Sequence, residues 1–568
     1  VVSTLATDAP PARAPRRHVA GALGLLAAVL VALIPLLGGD ALFSADEGAA
    51  VAQARLLQEE RGWVLPHPLP ELDPSGRTFP LENASLVTGP DGAPGGAPFA
   101  KHPAYAVLLA PFDRAAGLLG MTFTSVLGTV LAAGVAGLLT WRLAPSLAPI
   151  AVLATGLATP LFVDSWLVIA HTLGAALVGA AVLSVLRADE RRSGAPLLGA
   201  VAAMAGAVLL RNEALLFGVA LGLTAVLLGW RARRRPLVWG GLAAFGGAVA
   251  GYLLDGVLSA AVAGDAEASF RAGVSGSGFL AGRVLGAVVT LVLPSYGGLG
   301  VPDLLLVVCL GALLGLVAVI RLRPQDEEGI QLLAAVAALA AVARAVIAPE
   351  VVPGLLVAAP VLTAGLAALR GRQLQDTTSR LLAGTAALYV GAVLATQYST
   401  GGSGEWGGRY FALVLPVVVP LALVAGRDLL GRLRPAVGRR VLAAVAAVAL
   451  ALAVAGGRAL VTTEARTDEL VAAVEDAASQ LDDPVVVATA GAAPRFAWTD
   501  VLDGGDWLLV ELEDTADWLD RLDAAGRDVV LATPDLDEVP RLETGYEAVG
   551  EHPVGHGSAW TAVALSTG

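Results

Sequence analysis

The run AGALGLLAAVLVALIPLLG at residues 20–38, followed at once by GDALFSADEG at residues 39–48, decides how this chain must be read. Its uncharged length covers roughly 28 Å as a helix at about 1.5 Å per residue, close to the roughly 30 Å of a bilayer's hydrocarbon core. Arg13, Arg16 and Arg17 precede it, so it carries the basic flank of a signal peptide. Its length and the lack of a clear small-residue cleavage site make it a retained first span. Two acids, Asp46 and Glu47, stand just beyond its end.

Runs of the same kind recur as far as Gly456. Hydrophobic residues make up 56% of the 568 positions and charged ones 15%, against about 45–50% and about 25% in an ordinary soluble domain. A soluble protein with a single anchor is excluded. The predicted spans are approximately 20–38, 121–140, 147–163, 167–186, 195–210, 214–230, 237–258, 302–320, 331–348, 352–369, 381–396, 410–426 and 440–457, about thirteen helices. Basic clusters at Arg13 to Arg17, Arg142, Arg187 to Arg192, Arg231 to Arg235, Arg321 to Arg323, Arg370 to Arg380 and Arg427 to Arg440 fall between them. Short loops rich in arginine stay cytoplasmic, and an even number of spans separates each cluster from the next. The amino terminus is then inside and the carboxyl terminus outside.

Charge divides the chain the same way. Residues 459–568 hold 23 acids and five arginines, whereas the rest holds 26 acids and 32 bases. The expected organisation is a cytoplasmic tail over 1–19, a transmembrane domain over 20–457 with a large first outer loop over 39–120, and an acidic extracytoplasmic domain over 458–568. That last part alternates strand-like and helix-like pieces, Val485 to Ala488, Trp507 to Val510, a helix around Thr515 to Ala525, and Val529 to Ala532, which points to a small α/β domain. Two further outer segments, 262–301 and 396–409, are rich in Gly and Ser. In the first loop, Gln53 to Arg61 is polar on one side and is expected to lie on the membrane surface.

Lys101 is the sole lysine, and His102 follows it, so no Walker A motif and no P-loop ATPase domain is present. The lone Cys309 cannot form an internal disulfide and reads as a small buried hydrophobe. GSGFLA at 276–281 lacks the strand and helix of a dinucleotide site, His552 and His556 are separated by Pro553 and Gly555, and the Asn83-Ala84-Ser85 sequon matters only in a glycosylating host.

The candidate chemistry gathers at the outer ends of the spans. Asp46 in FSADEG reads either as a helix cap or, with Glu47, as a general base or metal ligand whose basicity desolvation would raise. Lys101 and His102 in FAKHPAYAVLLAPF read either as interface anchors or as ligands for a phosphate. Arg409 and Tyr410 in GGSGEWGGRYFALVLP open the twelfth span, and an arginine at an outer end needs either a bound anion or a pair with Glu405. Trp406 beside them is an interface anchor or part of the site. Asp164 and His171 flank the outer turn FVDSWLVIAH, and Arg211 with Glu213 forms a pair in LLRNEALLF. Arg344 is expected to extend towards Glu350.

Taken together, FSADEG after the first span, AKHPAYAVLLAPF closing the first loop, LLRNEALLF, LVLPSYGGLG and EWGGRYFALVLP resemble the GT-C superfamily of polytopic glycosyltransferases, in particular uncharacterised actinobacterial-type members. The resemblance covers roughly residues 20–457. It implies a GT-C-like α-helical polytopic membrane protein that transfers a hexosyl or pentosyl group, with inversion, from a polyprenyl-phosphate sugar to a glycan, lipid or protein of the cell envelope. It also implies Asp46 as base with Glu47 as its neighbour. Lys101, His102, Arg409 and Tyr410 then serve the carrier phosphate, and Asp164, His171, Glu405 and Trp406 form a second shell or acceptor site. No nucleic acid is an expected partner, no cofactor is required, and a divalent metal on Asp46 is the one candidate. The rivals are a transporter or lipid flippase, which calls for two related halves with broken helices, and a non-catalytic scaffold for envelope assembly.

With every basic cluster inside, an odd number of spans precedes the acidic tail. A reporter fused after Gly568 and active only in the cytoplasm should therefore be silent, and activity there would overturn this topology.

Overall fold

A chain solvated by lipid has no water to satisfy exposed backbone groups, so its apolar runs close their hydrogen bonds internally as helices. The computed structural model describes residues 16–38, 42, 45–59, 62–63, 65–80, 85–88, 94–97, 102–191, 193–263, 279–292, 300–347, 353–396, 406–491, 493–502, 505–534, 545–554 and 560–567. Its helices are α1 (Arg16–Leu37), α2 (Ala45–Glu59), α3 (Pro103–Leu143), α4 (Ala148–Leu157), α5 (Leu161–Asp164), α6 (His171–Arg191), α7 (Ala195–Leu210), α8 (Glu213–Arg231) and α9 (Arg235–Ala263). They continue as α10 (Phe279–Leu291), α11 (Val301–Leu322), α12 (Glu327–Val346), α13 (Leu355–Ala358), α14 (Pro360–Ala367), α15 (Thr377–Thr396), α16 (Leu415–Leu430) and α17 (Pro435–Ala478). Among the described residues, 10 helices are long and apolar enough to cross a membrane.

The expectation of about thirteen spans exceeds this for a local reason. The predicted spans 147–163 and 352–369 are each broken at a proline. Pro160 separates α4 from α5, and Pro360 opens α14 after the non-helical Ala359, because proline lacks an N–H and restricts the residue before it. The third, 195–210, forms α7 at its predicted bounds, which is short for a crossing. Two other helices run past their predicted ends. The apolar segment closing the first loop joins the second span in α3, with a bend at Ala116 and Gly117, where Gly117 takes a φ of 59°. Helix α17 is 44 residues long, about 66 Å at the helical rise, so it leaves the bundle and enters the acidic tail.

Strands β1 (Leu65–Pro66), β2 (Ser85–Thr88) and β3 (Pro94–Ala97) lie between α2 and α3; in the tail, β4 (Val485–Ala488), β5 (Trp507–Leu509) and β6 (Val529–Thr533) form where the sequence places them, joined by β7 (Glu547–Pro553) and β8 (Thr561–Ser566). The sheet order is β5-β4-β6-β8-β7. β4 pairs in parallel with β5 and β6, and β8 pairs antiparallel with β6 and β7. Strands β4 and β6 are buried along their whole length, as strands covered on both faces are. One face packs on Leu470, Ala473, Val474 and Ala477 of α17, whose 3, 4 and 7 spacing marks a single helical stripe. The other packs on Trp518, Leu519 and Leu522 of the helix Thr515–Ala524.

That second core also contains Leu69 from the first outer loop. The Leu509 N–H donates to the Thr78 carbonyl at 2.9 Å, so the loop and the tail share one hydrophobic core. Asp73 holds the loop's shape. Its Oδ1 accepts from the Ser75 hydroxyl at 2.6 Å, and its Oδ2 accepts from the Thr78 N–H at 2.7 Å and the Thr78 hydroxyl at 2.9 Å. Helix α2 differs from its expectation. It begins at Ala45, and Val51, Ala52 and Ala54 are fully buried with Gln53 at 4% exposure. It is wedged between α3 and Trp498 of the tail, with the Arg55 guanidinium 4.7 Å from the Trp498 ring and Gln58 bonded to Asp113 of α3.

Burial raises the affinity of Asp73 for a proton, but the bonds from Ser75 and Thr78 outweigh it and hold the carboxyl below its ordinary value of 3.8. A depressed folded-state pKa contributes stability that is present above 3.8 and is lost as pH falls through the folded value. Asp73→Ala should cost about 1–3 kcal/mol at neutral pH, and the gap between variant and wild type in thermal unfolding should close as pH drops below the ordinary value. A gap independent of pH would contradict this assignment.

Candidate functional site

Asp46 lies in the first turn of α2, one residue inside the helix, so it does not cap it. Its Oδ2 accepts from Arg409 Nη1 at 2.5 Å, across 363 positions of sequence. The two side chains are 26% and 16% exposed. Arg409 therefore pairs with Asp46; Glu405, the partner considered from sequence, lies outside the described residues, as does Lys101.

The backbone before Arg409 explains its aim. Gly407 and Gly408 take φ values of 73° and 67°, a left-handed region that costs any side chain with a Cβ. A methyl on Gly408 would also sit 2.7 Å from the Thr290 carbonyl oxygen, and one on Gly407 would collide with Pro160. Gly407 N–H donates to the Pro353 carbonyl at 2.9 Å. After this turn, residues Arg409–Val414 form a single 3-10 stretch, and the Tyr389 hydroxyl donates to the Tyr410 carbonyl. The Arg409 guanidinium lies 5.1 Å from the Tyr410 ring centre, and its Nη2 is 3.4 Å from the Tyr410 hydroxyl.

Asp46 also lines a pocket of about 50 Å³, open on one side, with Gln53, His102, Tyr105 and Arg211, walled by Val168, Ile169, Ala170 and Leu210. Arg211, 5% exposed, is held in a two-bond pair with Glu213, Nε to Oε2 at 3.1 Å and Nη2 to Oε1 at 2.9 Å. The sequence showed this pair but not that Arg211 faces Asp46's pocket. His102, before Pro103 at the start of α3, places Nδ1 3.5 Å from Asp255 Oδ1 on α9. Asp255 is 1% exposed in a membrane-crossing helix, where an acid is costly and marks a partner or a site. Sequence reading missed it, although a single acid in GYLLDGVLSA was the available signal.

Glu47 goes elsewhere. It is 2% exposed, its Oε1 accepts from the Val168 N–H at 2.7 Å, and it lines a separate small pocket with Thr122 and Glu464. The Ser125 hydroxyl bonds the Leu167 and Ile169 carbonyls of the same turn between α5 and α6 at 2.6 and 3.1 Å, so Glu47 and Ser125 together satisfy its irregular backbone. Asp164 and His171 are buried at the two ends of this turn and are not part of the Asp46 pocket's lining. Trp406, 4% exposed, lines an apolar crevice with Phe162, Val361 and Leu452. Arg344 is buried and donates to the Ile347 carbonyl at 3.2 Å; Glu350 lies outside the described residues.

Among the described residues, no group of three or more His, Cys, Asp or Glu is placed to hold a metal. The described lining of the Asp46 pocket offers one carboxylate, already paired with a guanidinium, which does not make an oxygen donor set for a hard divalent cation.

No family model matches the chain, and no curated protein does. Two solved structures align over nearly its full length. ArnT from Cupriavidus metallidurans bound to undecaprenyl phosphate has a TM-score of 0.46 at 17% identity, covering 97% of this chain and 98% of that one. The same protein in the apo state has a TM-score of 0.49 at 14% identity, covering 96% and 98%.

Gly408→Ala should lower the thermal stability of the full-length protein by on the order of 1 kcal/mol or more, because the left-handed conformation alone costs about that. Gly391→Ala in α15, where a methyl meets nothing within 4 Å, serves as control and should leave stability unchanged or raise it. Equal behaviour of the two variants would show that the turn does not need its glycines.

Proposed function

We propose that the chain is a membrane glycosyltransferase that takes its sugar from a polyprenyl-phosphate carrier and passes it to an acceptor hydroxyl on the outer side. The observation that carries this reading is the Asp46 and Arg409 pair at a pocket that also holds His102, Tyr105 and Arg211. It unites a carboxylate with two guanidiniums where lipid meets water, and it demands no nucleotide.

The reaction suits these groups. An acceptor oxygen forms a bond to the anomeric carbon on the face opposite the phosphate, the bond from that carbon to the phosphate oxygen breaks, and configuration inverts. The hydroxyl proton goes to Asp46. The donor's phosphodiester carries one negative charge and leaves as a monoester that develops a second, so the cations near it act most strongly in the transition state. Arg409 and Arg211 fill this role. When donor is absent, Arg409 neutralises Asp46; an arriving phosphate competes for the guanidinium and frees the carboxylate to act as base. Asp255 fixes the His102 ring so that its other nitrogen serves the pocket, and Glu47 positions the outer turn.

Asp46→Asn should insert and fold normally yet lose about 10²- to 10⁴-fold in transfer, the usual contribution of a general base. Release of polyprenyl phosphate from a labelled lipid-linked sugar by purified protein in lipid discs is the measurement. Arg409→Ala should weaken donor use more than Arg409→Lys, since a point charge replaces part of a guanidinium's hold on phosphate. Full transfer by a well-folded Asp46→Asn protein would remove Asp46 as base, and absence of release by the wild type with any lipid-linked sugar would count against the activity itself.

A further inference from the structure

A further cavity of about 350 Å³ lies between α4, α11, α14, α16 and α17. Its walls are almost wholly hydrocarbon, with Leu316, Ile320, Ala368, Leu430 and Val441 among them. Ile150 and Leu442 line it too and are 51% and 56% exposed, so its mouth opens sideways onto the surface that lipid chains cover. Deep apolar space reached from the bilayer is filled by an acyl chain more readily than by water.

One end of the cavity is polar. Arg427 lines it, Arg321 follows Ile320 directly, and Arg370 and Arg432 each stand two residues past a lining residue. These arginines are neighbours. Arg432 Nη1 lies 3.5 Å from the Arg321 carbonyl, and Arg321 Nη2 bonds the Leu369 carbonyl at 3.3 Å. Desolvation, and then the fields of Arg432, Arg321 and Arg372, all lower the proton affinity of Arg370. Among the described residues the acid paired with this group is Asp428, bonded to Arg427 at 2.9 Å and 3.7 Å from Arg372. Arginines at span ends alone would only set sidedness, and an apolar cavity alone would take any chain. Side by side, they match an amphiphile with an anionic head.

We propose that this cavity binds an anionic phospholipid from the leaflet at the arginine-rich ends of the helices, with an acyl chain inside and the phosphate on Arg321, Arg370 and Arg432. The site is separate from the Asp46 pocket and stands whether or not the chain transfers sugars. Full-length protein, stripped of lipid in neutral detergent, is offered phosphatidylglycerol, phosphatidylcholine with the same acyl chains, or undecaprenyl phosphate, and retained lipid is read by native mass spectrometry alongside thermal stability. Phosphatidylglycerol should be retained above phosphatidylcholine and should raise the melting temperature. The preference should fall about fivefold per arginine removed in Arg321→Gln and Arg370→Gln. Gly426→Leu fills the cavity from a position where a Cβ meets nothing within 4 Å, and it should abolish retention while leaving the fold intact. Equal retention of the two phospholipids would overturn the proposal, as would a preference unchanged in these variants. Undecaprenyl phosphate retained in preference to phosphatidylglycerol and lost in Gly426→Leu would assign the cavity to a prenyl chain instead.

Discussion

An ion pair between residues 363 positions apart cannot form by local preference; everything between Asp46 and Arg409 has to be folded to bring them within 2.5 Å. On one side the first span ends and α2 begins, so a carboxylate in the first turn stands at the positive end of a helix. On the other, two left-handed glycines turn the chain so that an arginine opens the next helical stretch facing back. Both side chains are largely buried, at 26% and 16% exposure, where leaving either charge alone would be costly. The pair therefore fixes the relation of the first loop to the twelfth predicted span, and the pocket beside Asp46 inherits that relation.

The half of the molecule that carries the tail is organised around this constraint. Helix α2 is held from beneath by Asp113 of α3 and from above by Trp498 of the tail. The segment from His67 to Thr78 is drawn into the tail's core through Leu69 and the Thr78 carbonyl. Helix α17 carries the last span directly into the sheet it supports. The acidic tail is thus tied to the same helix that presents Asp46, and loosening the Asp73 loop should be felt at the site as well as in the tail.

The helical bundle was legible because the requirement to satisfy backbone groups in lipid acts on every apolar run alike. Prolines at 160 and 360 marked where predicted spans break, but hydropathy averages over them. Strands β4, β5 and β6 announced themselves as short β-branched or aromatic runs, whereas β7, reading EAVGEHP, is mostly exposed and lacks such a run. At the site, FSADEG and EWGGRYF each hold one member of the Asp46 and Arg409 pair, but neither motif points to the other. Asp46 read as a cap, a base or a metal ligand, and Arg409 as the holder of a bound anion or a partner of Glu405, because pairing across 363 residues leaves no trace in local spacing. Asp255 went unread although one acid in a long apolar helix is itself a signal; what local spacing does not show is its partner, His102. Glu47, adjacent to Asp46, looked equivalent in sequence, yet the rotation of a helix sends it to the outer turn's backbone.

In the proposed reaction Arg409 is shared between Asp46 and a lipid phosphate, so removing the competing carboxylate charge should strengthen the phosphate's hold. The direct measurement is the dissociation constant of undecaprenyl phosphate for the full-length protein in lipid discs, wild type against Asp46→Asn. The variant should bind more tightly, because its Arg409 no longer has an anion to leave; unchanged or weaker binding by a variant with wild-type thermal stability would rule out the sharing of Arg409.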